Sequence, residues 1–181
     1  MLYTYKELEK HLSSDYHIRK AITDGKIHKI TNGIYSETPN VHPLAVITKK
    51  YPFAIFTMNS AFYYHGLTDV IPQEMHLAVK RTTSRRFNNP VIVFIYTSDK
   101  YLNLGKTEIT YEGASINIYN KERMLIELVR NKRSMGYDYY KEIIASYRKI
   151  TDMLDVLNIE EYSASFDMEE YIFRTIQEEV F

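Results

Sequence analysis

The chain contains no cysteine. That absence removes a disulfide framework, a thiolate zinc site and a thiol nucleophile together, and a reducing compartment suits it best. Long apolar runs are missing too, so no segment approaches the roughly 20 residues needed to span a bilayer. The N-terminal stretch is charged from Lys6 onward and has no apolar h-region, which makes a secretory signal unexpected. A cytoplasmic protein without a membrane partner is the expectation.

Catalytic signatures are equally scarce. No Asp-x-Asp pair is present to hold magnesium beside a phosphate, and there is neither a Gly-rich phosphate loop nor a Gly-x-Ser-x-Gly elbow. The six histidines, at positions 11, 17, 28, 42, 65 and 76, show no i, i+4 pair of ligands on one helix. His65 is the most tempting general base, yet it precedes the helix-ending Gly66 and has no paired carboxylate nearby in sequence. A structural or capping role is the better reading of it. These absences lead to the expectation of a non-enzyme with no cofactor and no metal.

What is present suffices for a folded core: 181 residues, 45% of them apolar. Basic and acidic residues balance at 23 each, but unevenly along the chain. Residues 1 to 36 hold six Lys/Arg against four Asp/Glu, residues 37 to 120 eight against six, and residues 151 to 181 one against nine. A mildly basic front and an acidic tail suggest ends that meet different partners, although a pair of solvated helices has the same look.

Tyr5, Leu8 and Leu12 recur at helical spacing over 4–12, and Ser13, Ser14 and Asp15 then interrupt with good N-cap residues. The next helix carries Ile18, Ala21 and Ile22 as its apolar stripe, with Tyr16, Arg19, Lys20 and Thr23 on the other side and Gly25 placed to cap its end. A hairpin turned at Asn32-Gly33 follows, in which Ile30 is expected opposite Tyr35. Two short helices and a basic hairpin are the order of a compact winged helix-turn-helix, so residues 1–38 read as a DNA-binding domain.

Residues 39–43 read as a linker, and 39–181 as a second domain, α+β, with a small antiparallel sheet and C-terminal helices. Its expected elements begin with a helix over 44–51, an extended stretch over 53–57 and a helix capped by Asn59 or Ser60 and ended by Gly66. Strands over 75–80 and 91–96 and a hairpin turned at Glu112-Gly113 come next. Asn120 then caps a helix whose Met124, Leu125, Leu128 and Val129 face inward. A further helix from about Asp138 is expected to run on through Met153, Leu154 and Leu157, before an acidic last helix near Asp167.

Three segments stand out in order. They are Asn32-Gly33-Ile34-Tyr35-Ser36, the run from Asn59-Ser60-Ala61 to His65-Gly66-Leu67-Thr68, and the run from Tyr119-Asn120-Lys121-Glu122-Arg123 to Leu128. Together they resemble the AbiEi antitoxins, the regulators of type IV toxin–antitoxin pairs. That family's pattern is a wing ending in Gly-hydrophobic-Tyr, a Ser-Ala-x-x-x-His-Gly-Leu helix, and a Glu-Arg-hydrophobic helix after a β-hairpin. The resemblance spans nearly the whole chain, and Ser60-Ala61 through Gly66-Leu67 is its most specific piece. It implies an N-terminal winged helix that represses its own operon, and a C-terminal domain that counteracts a nucleotidyltransferase-like toxin.

On this reading Arg19 and Lys20 would meet base edges or phosphates, flanked by Tyr16, His17 and Thr23, while Lys26, His28, Lys29, Thr31 and Asn32 of the wing would touch phosphates or the minor groove. The plainer alternative is a solvated helix face and strand lysines that only discourage aggregation. Lys80, Arg81, Arg85 and Arg86 form the densest basic cluster, suited to nucleic acid or a partner, or to a solvated loop. The function expected is a DNA-binding autorepressor and antitoxin of a type IV abortive-infection operon. Its partners would be the operator DNA upstream of that operon and the cognate toxin, with direct toxin contact and a homodimer both open. The alternative is a non-catalytic protein- or RNA-interaction module whose winged helix is structural.

Overall fold

A computed structural model of the chain describes residues 1–82 and 87–181. The chain divides into two compact units, Met1–Ala54 with Ile109–Ile116, and Ile55–Glu108 with Asn117–Phe181. The first unit therefore runs past residue 38 and takes in a hairpin tip from far along the sequence. Helices and strands are mixed, with a small antiparallel sheet near the N-terminus and helices at the C-terminus.

The first unit opens with a strand that periodicity did not reveal, β1 (Leu2–Thr4). Thr4 also caps α1 (Tyr5–Leu12): its Oγ1 accepts from the Glu7 N–H at 3.3 Å while the Glu7 carboxylate accepts from the Thr4 N–H at 2.7 Å. Two donors that a helix start would orphan are thereby satisfied reciprocally. Ser14 caps α2 (Asp15–Thr23) through the N–H of His17. Gly25 ends α2 as expected, with φ of 69°, and the N–H groups of Gly25 and Lys26 return to the carbonyls of Ile22 and Ala21, the paired bonds of a Schellman end.

Tyr3, Leu8, Ile18 and Ile27 make the buried cluster of this unit, with Leu12, Ala21 and Tyr35 packed against it. That cluster extends to the Ala21 side of Ile18 and leaves Ile22, expected in the apolar stripe, exposed. Strands β2 (His28–Thr31) and β3 (Ile34–Ser36) pair antiparallel, and β3 lies between β1 and β2. Tyr35 stands opposite Lys29 rather than Ile30, because the register shifts between Lys29 and Thr31; a bulge at Ile30 displaces every pair beyond it. The helix α3 (Pro43–Lys50) starts with proline in its first turn, where no N–H is needed, and His42 Nδ1 accepts from the Leu44 N–H at 3.3 Å. Lys49 reaches back to Glu7 at 2.7 Å, tying α3 to α1.

The second unit contributes β4 (Ile55–Phe56), α4 (Met58–Tyr64), β5 (Met75–Lys80), β6 (Ile92–Thr97) and α5 (Asp99–Leu102). The hairpin β7 (Lys106–Tyr111) and β8 (Ala114–Tyr119) follows, then α6 (Lys121–Arg130), α7 (Tyr137–Arg148), α8 (Val156–Ala164) and α9 (Glu169–Glu179). The strands run in the order β6-β5-β4-β8-β7. This larger sheet is mixed rather than antiparallel throughout: β5 runs parallel to β6 from Met75↔Ile92 to Lys80↔Thr97, and β4 parallel to β8 at Phe56↔Ile118. Parallel neighbours need a connection longer than a tight turn, and residues 81–91 separate β5 from β6 in sequence.

Local chemistry explains where the elements stop. Glu112 and Gly113 both take positive φ, 46° and 78°, as a two-residue turn matching the twist of its strands requires, and Ala114, Ile116 and Ile118 are buried. The helix α4 begins at Met58 with φ of 45°, so Asn59 and Ser60 lie inside it rather than capping it; the buried Ser60 Oγ instead accepts from the His76 N–H at 2.9 Å. The helix α7 stops short of the expected continuation. A 3₁₀ turn at Thr151–Met153 intervenes, and Asp155 caps α8 through the Asn158 N–H at 3.2 Å, which leaves Met153 and Leu157 exposed. Among the described residues no helix is long and apolar enough to cross a membrane.

Candidate nucleic-acid interface and a cationic cleft

A helix of nine residues with one capped and one Schellman end has little freedom in what it presents. Burying Ile18 turns Tyr16, Arg19, Lys20 and Thr23, spaced i, i+3, i+4 and i+7, to solvent together. Arg19 pairs with Asp15 at 2.8 Å, and Thr23 Oγ1 donates to the Arg19 carbonyl at 3.0 Å. His17 sits aside from this row, its Nδ1 held 2.9 Å from Ser14 Oγ. Lys26 leaves the Schellman end exposed, as do Lys29 and Asn32 on the hairpin, while His28 and Thr31 are half-buried. Among the described residues no carboxylate lies within ion-pair distance of Lys20, Lys26 or Lys29. The exposed Arg19–Asp15 pair contributes at most a few tenths of a kcal/mol and is easily exchanged for a phosphate.

The other basic cluster is divided. Lys80 pairs with Asp99 at 2.7 Å, Arg81 projects from the end of β5, and Arg85 and Arg86 lie outside the described residues. His65, the tempting base, is committed: its Nε2 lies 2.7 Å from the Tyr119 carbonyl, and burial pushes its pKa below the ordinary value. A neutral imidazole donating to that carbonyl fastens the end of α4 to the end of β8.

The feature that sequence reasoning missed is built on α6. Asn120 Oδ1 accepts from the Arg123 N–H at 3.0 Å and so fixes the first turn. The Arg123 side chain is 1% exposed. Its Nε and one terminal nitrogen donate to Glu127 Oε1 at 3.1 and 2.6 Å, and the other terminal nitrogen reaches the Tyr101 carbonyl at 3.2 Å. The guanidinium also lies over the rings of Tyr119 and Phe166, at 4.8 and 4.5 Å. Arg130 covers Phe166 at 4.1 Å and donates to both oxygens of Glu127 at 2.9 and 3.0 Å. Gly105 passes so close that a Cβ there would stand 2.5 Å from Arg123 Cβ, in a backbone with φ of 72°. The one signal for all this was an Arg and a Glu four apart, Glu127 standing within the apolar stretch Met124 to Val129.

No protein-family model matches the chain, and none of the curated proteins compared with it matches either.

This network forms the floor of a cleft of about 750 Å³ in the second unit, which His76, Arg81, Thr97, Met58 and Met168 also line. The face of the sheet beneath it is that of His76 and Ala78, with Ile95 and Thr97 alongside in the parallel ladder. Among the described residues no three His, Asp or Glu side chains converge to hold a metal ion.

Proposed function

We propose that this chain is a cytoplasmic DNA-binding autorepressor, with α2 as the reading helix and the β2–β3 hairpin as wing, and that it acts as the antitoxin of a type IV toxin–antitoxin operon. The observation that carries the DNA-binding part is the solvent row Tyr16, Arg19, Lys20 and Thr23 on α2, followed at once by a hairpin bearing Lys29 and Asn32. Support comes from the element order β1-α1-α2-β2-β3 with β3 between β1 and β2, which suits a compact winged helix. Helix-turn-helix readers lay the second helix in the major groove, where arginine favours guanine. Lysines on the hairpin would neutralise backbone phosphates without reading sequence. The antitoxin part is supported by the resemblance of three ordered motifs to the AbiEi antitoxins.

A mobility shift on the DNA upstream of the chain's own gene tests the reading. Arg19→Ala with Lys20→Ala should weaken binding by about tenfold or more, and Lys29→Ala should lower the slope of log K against log salt by about 1. Retention unchanged by the double substitution refutes α2 as the reading helix and favours an interaction module whose winged helix is structural. Relief of growth arrest when the chain is co-expressed with the neighbouring gene's product tests the antitoxin role.

A further inference from the structure

We infer that the cleft in the second unit binds a nucleoside phosphate, with the phosphate on Arg81 and Arg130 and the flat body against Met58 and Met168. The site stands apart from the DNA-binding reading, since none of its residues belongs to α2 or the hairpin.

Size and charge define the ligand. A cleft of about 750 Å³ lies within the range that encloses drug-sized molecules and is far larger than a bare anion needs. Its lining cations are Arg81, Arg123 and Arg130, and its lining carboxylates Glu127 and Asp167. Arg123 and Glu127 are consumed by one another in the floor. Arg130 spends one nitrogen on Glu127 and one ring face on Phe166, which leaves the rest of its planar fork for a ligand. Arg81 uses its backbone N–H on the Thr97 carbonyl at 2.8 Å, and among the described residues its exposed guanidinium has no partner. Ser98, the cap residue of α5, makes no side-chain cap bond, and among the described residues its hydroxyl, which also lines the cleft, has no partner. Two guanidinium forks and a hydroxyl lining one cleft offer the donors that a phosphate takes.

The apolar side of the cleft points to what the phosphate is attached to. Met58 and Met168 both line it, and both hold positive φ, 45° and 67°, where residues other than glycine seldom sit. Such strain persists only when the surroundings over-determine it, and it collects at binding sites. Met168 lines the cleft and is 64% exposed, a large apolar side chain left in water. Thioethers are polarisable and adapt to flat rings, so the pair suits a nucleobase better than a sugar or an aliphatic chain. His76 adds a buried Nδ1 that, among the described residues, has no hydrogen-bond partner.

Nucleoside phosphates reach a protein either free or as the phosphorylated end of a strand, and calorimetry with ¹³C-methyl methionine spectra separates these. The probes are the four ribonucleoside 5′-monophosphates, the matching triphosphates, a 5′-phosphorylated trinucleotide and inorganic phosphate. Saturable binding of a mononucleotide or of the trinucleotide, with the Met58 and Met168 methyls shifting first, is expected; the tighter of the two identifies the source. Arg81→Gln and Arg130→Lys should each weaken that binding by about tenfold, and Asp167→Asn should tighten it. Arg19→Ala with Lys20→Ala should leave it unchanged whatever it does to DNA binding. Absence of saturation at millimolar nucleotide and trinucleotide overturns the inference. So does inorganic phosphate binding as tightly as the nucleotides, or weaker binding in a folded Asp167→Asn chain.

Discussion

A guanidinium that is 1% exposed is an expensive thing to bury, and the neighbours of Arg123 show how the cost is met. Glu127 supplies the counter-charge, the Tyr101 and Leu104 carbonyls accept from one terminal nitrogen, and aromatic rings lie against the planar faces. Removing either member of the pair is not symmetrical. Arg123→Met leaves Glu127 still paired with Arg130, whereas Glu127→Ala leaves a buried cation uncompensated and frees Arg130 as well. Glu127→Ala should therefore cost roughly 3–5 kcal/mol, and Arg123→Met distinctly less. Urea unfolding followed by circular dichroism checks the order, and equal losses would show that the ion pair is not what holds the floor of the cleft together.

At the scale of single elements, the caps decide more than the propensities. Thr4 ends a strand and starts α1 in one residue, and its reciprocal bonds with Glu7 sit on the carboxylate that also holds Lys49 of α3. Thr4→Ala should destabilise the first unit by about 1 kcal/mol. Thr4→Ser, which keeps the hydroxyl, should recover most of it in the same thermal melt. Elements with strong local codes are legible in the sequence: α2 between Ser14 and Gly25, the Glu112-Gly113 turn, and α6 with its Asn120 cap. The three-residue β1 was not, because Leu2 and Tyr3 are too few to display a period and pair with β3 only through tertiary contact. The bulge at Ile30 and the parallel pairing of β5 with β6 depend on partners distant along the chain, which alternation within one strand does not encode. The same holds for the cleft. Arg81, Met58, Arg130 and Met168 are scattered from one end of the second unit to the other, and only folding lines them up.

Across the whole molecule, acids held below their ordinary value occur in both units, Glu179 among them in the second, but among the described residues the displaced histidines lie in the second unit alone. In the second unit, burial pushes both His65 and His76 below the ordinary histidine value. The unfolded chain then takes up more protons than the folded one as pH drops through about 6.5, so the stability these rings contribute is complete above that pH and is lost below it. In the first unit the displaced acids are Glu7, drawn down to about 2 chiefly by the Lys49 ammonium and the Thr4 N–H, and Glu37, lowered by the Tyr3 hydroxyl and the N-terminal ammonium. Their contribution is present above the ordinary carboxylate range and lost only on acidification below about 4.5, and it is small because both groups are half-exposed. Acid should therefore loosen the second unit first. Hydrogen exchange, corrected for intrinsic rates, should show amides of α4 and β5 losing protection between pH 6.5 and about 5 while those of α1 and α2 hold. His65→Gln keeps a donor for the Tyr119 carbonyl but has nothing to protonate, so it should lessen that loss in α4, and His65→Gln with His76→Gln should flatten it in both elements; a profile unchanged by the double substitution, or earlier loosening of α1 and α2, would remove the histidines as its cause.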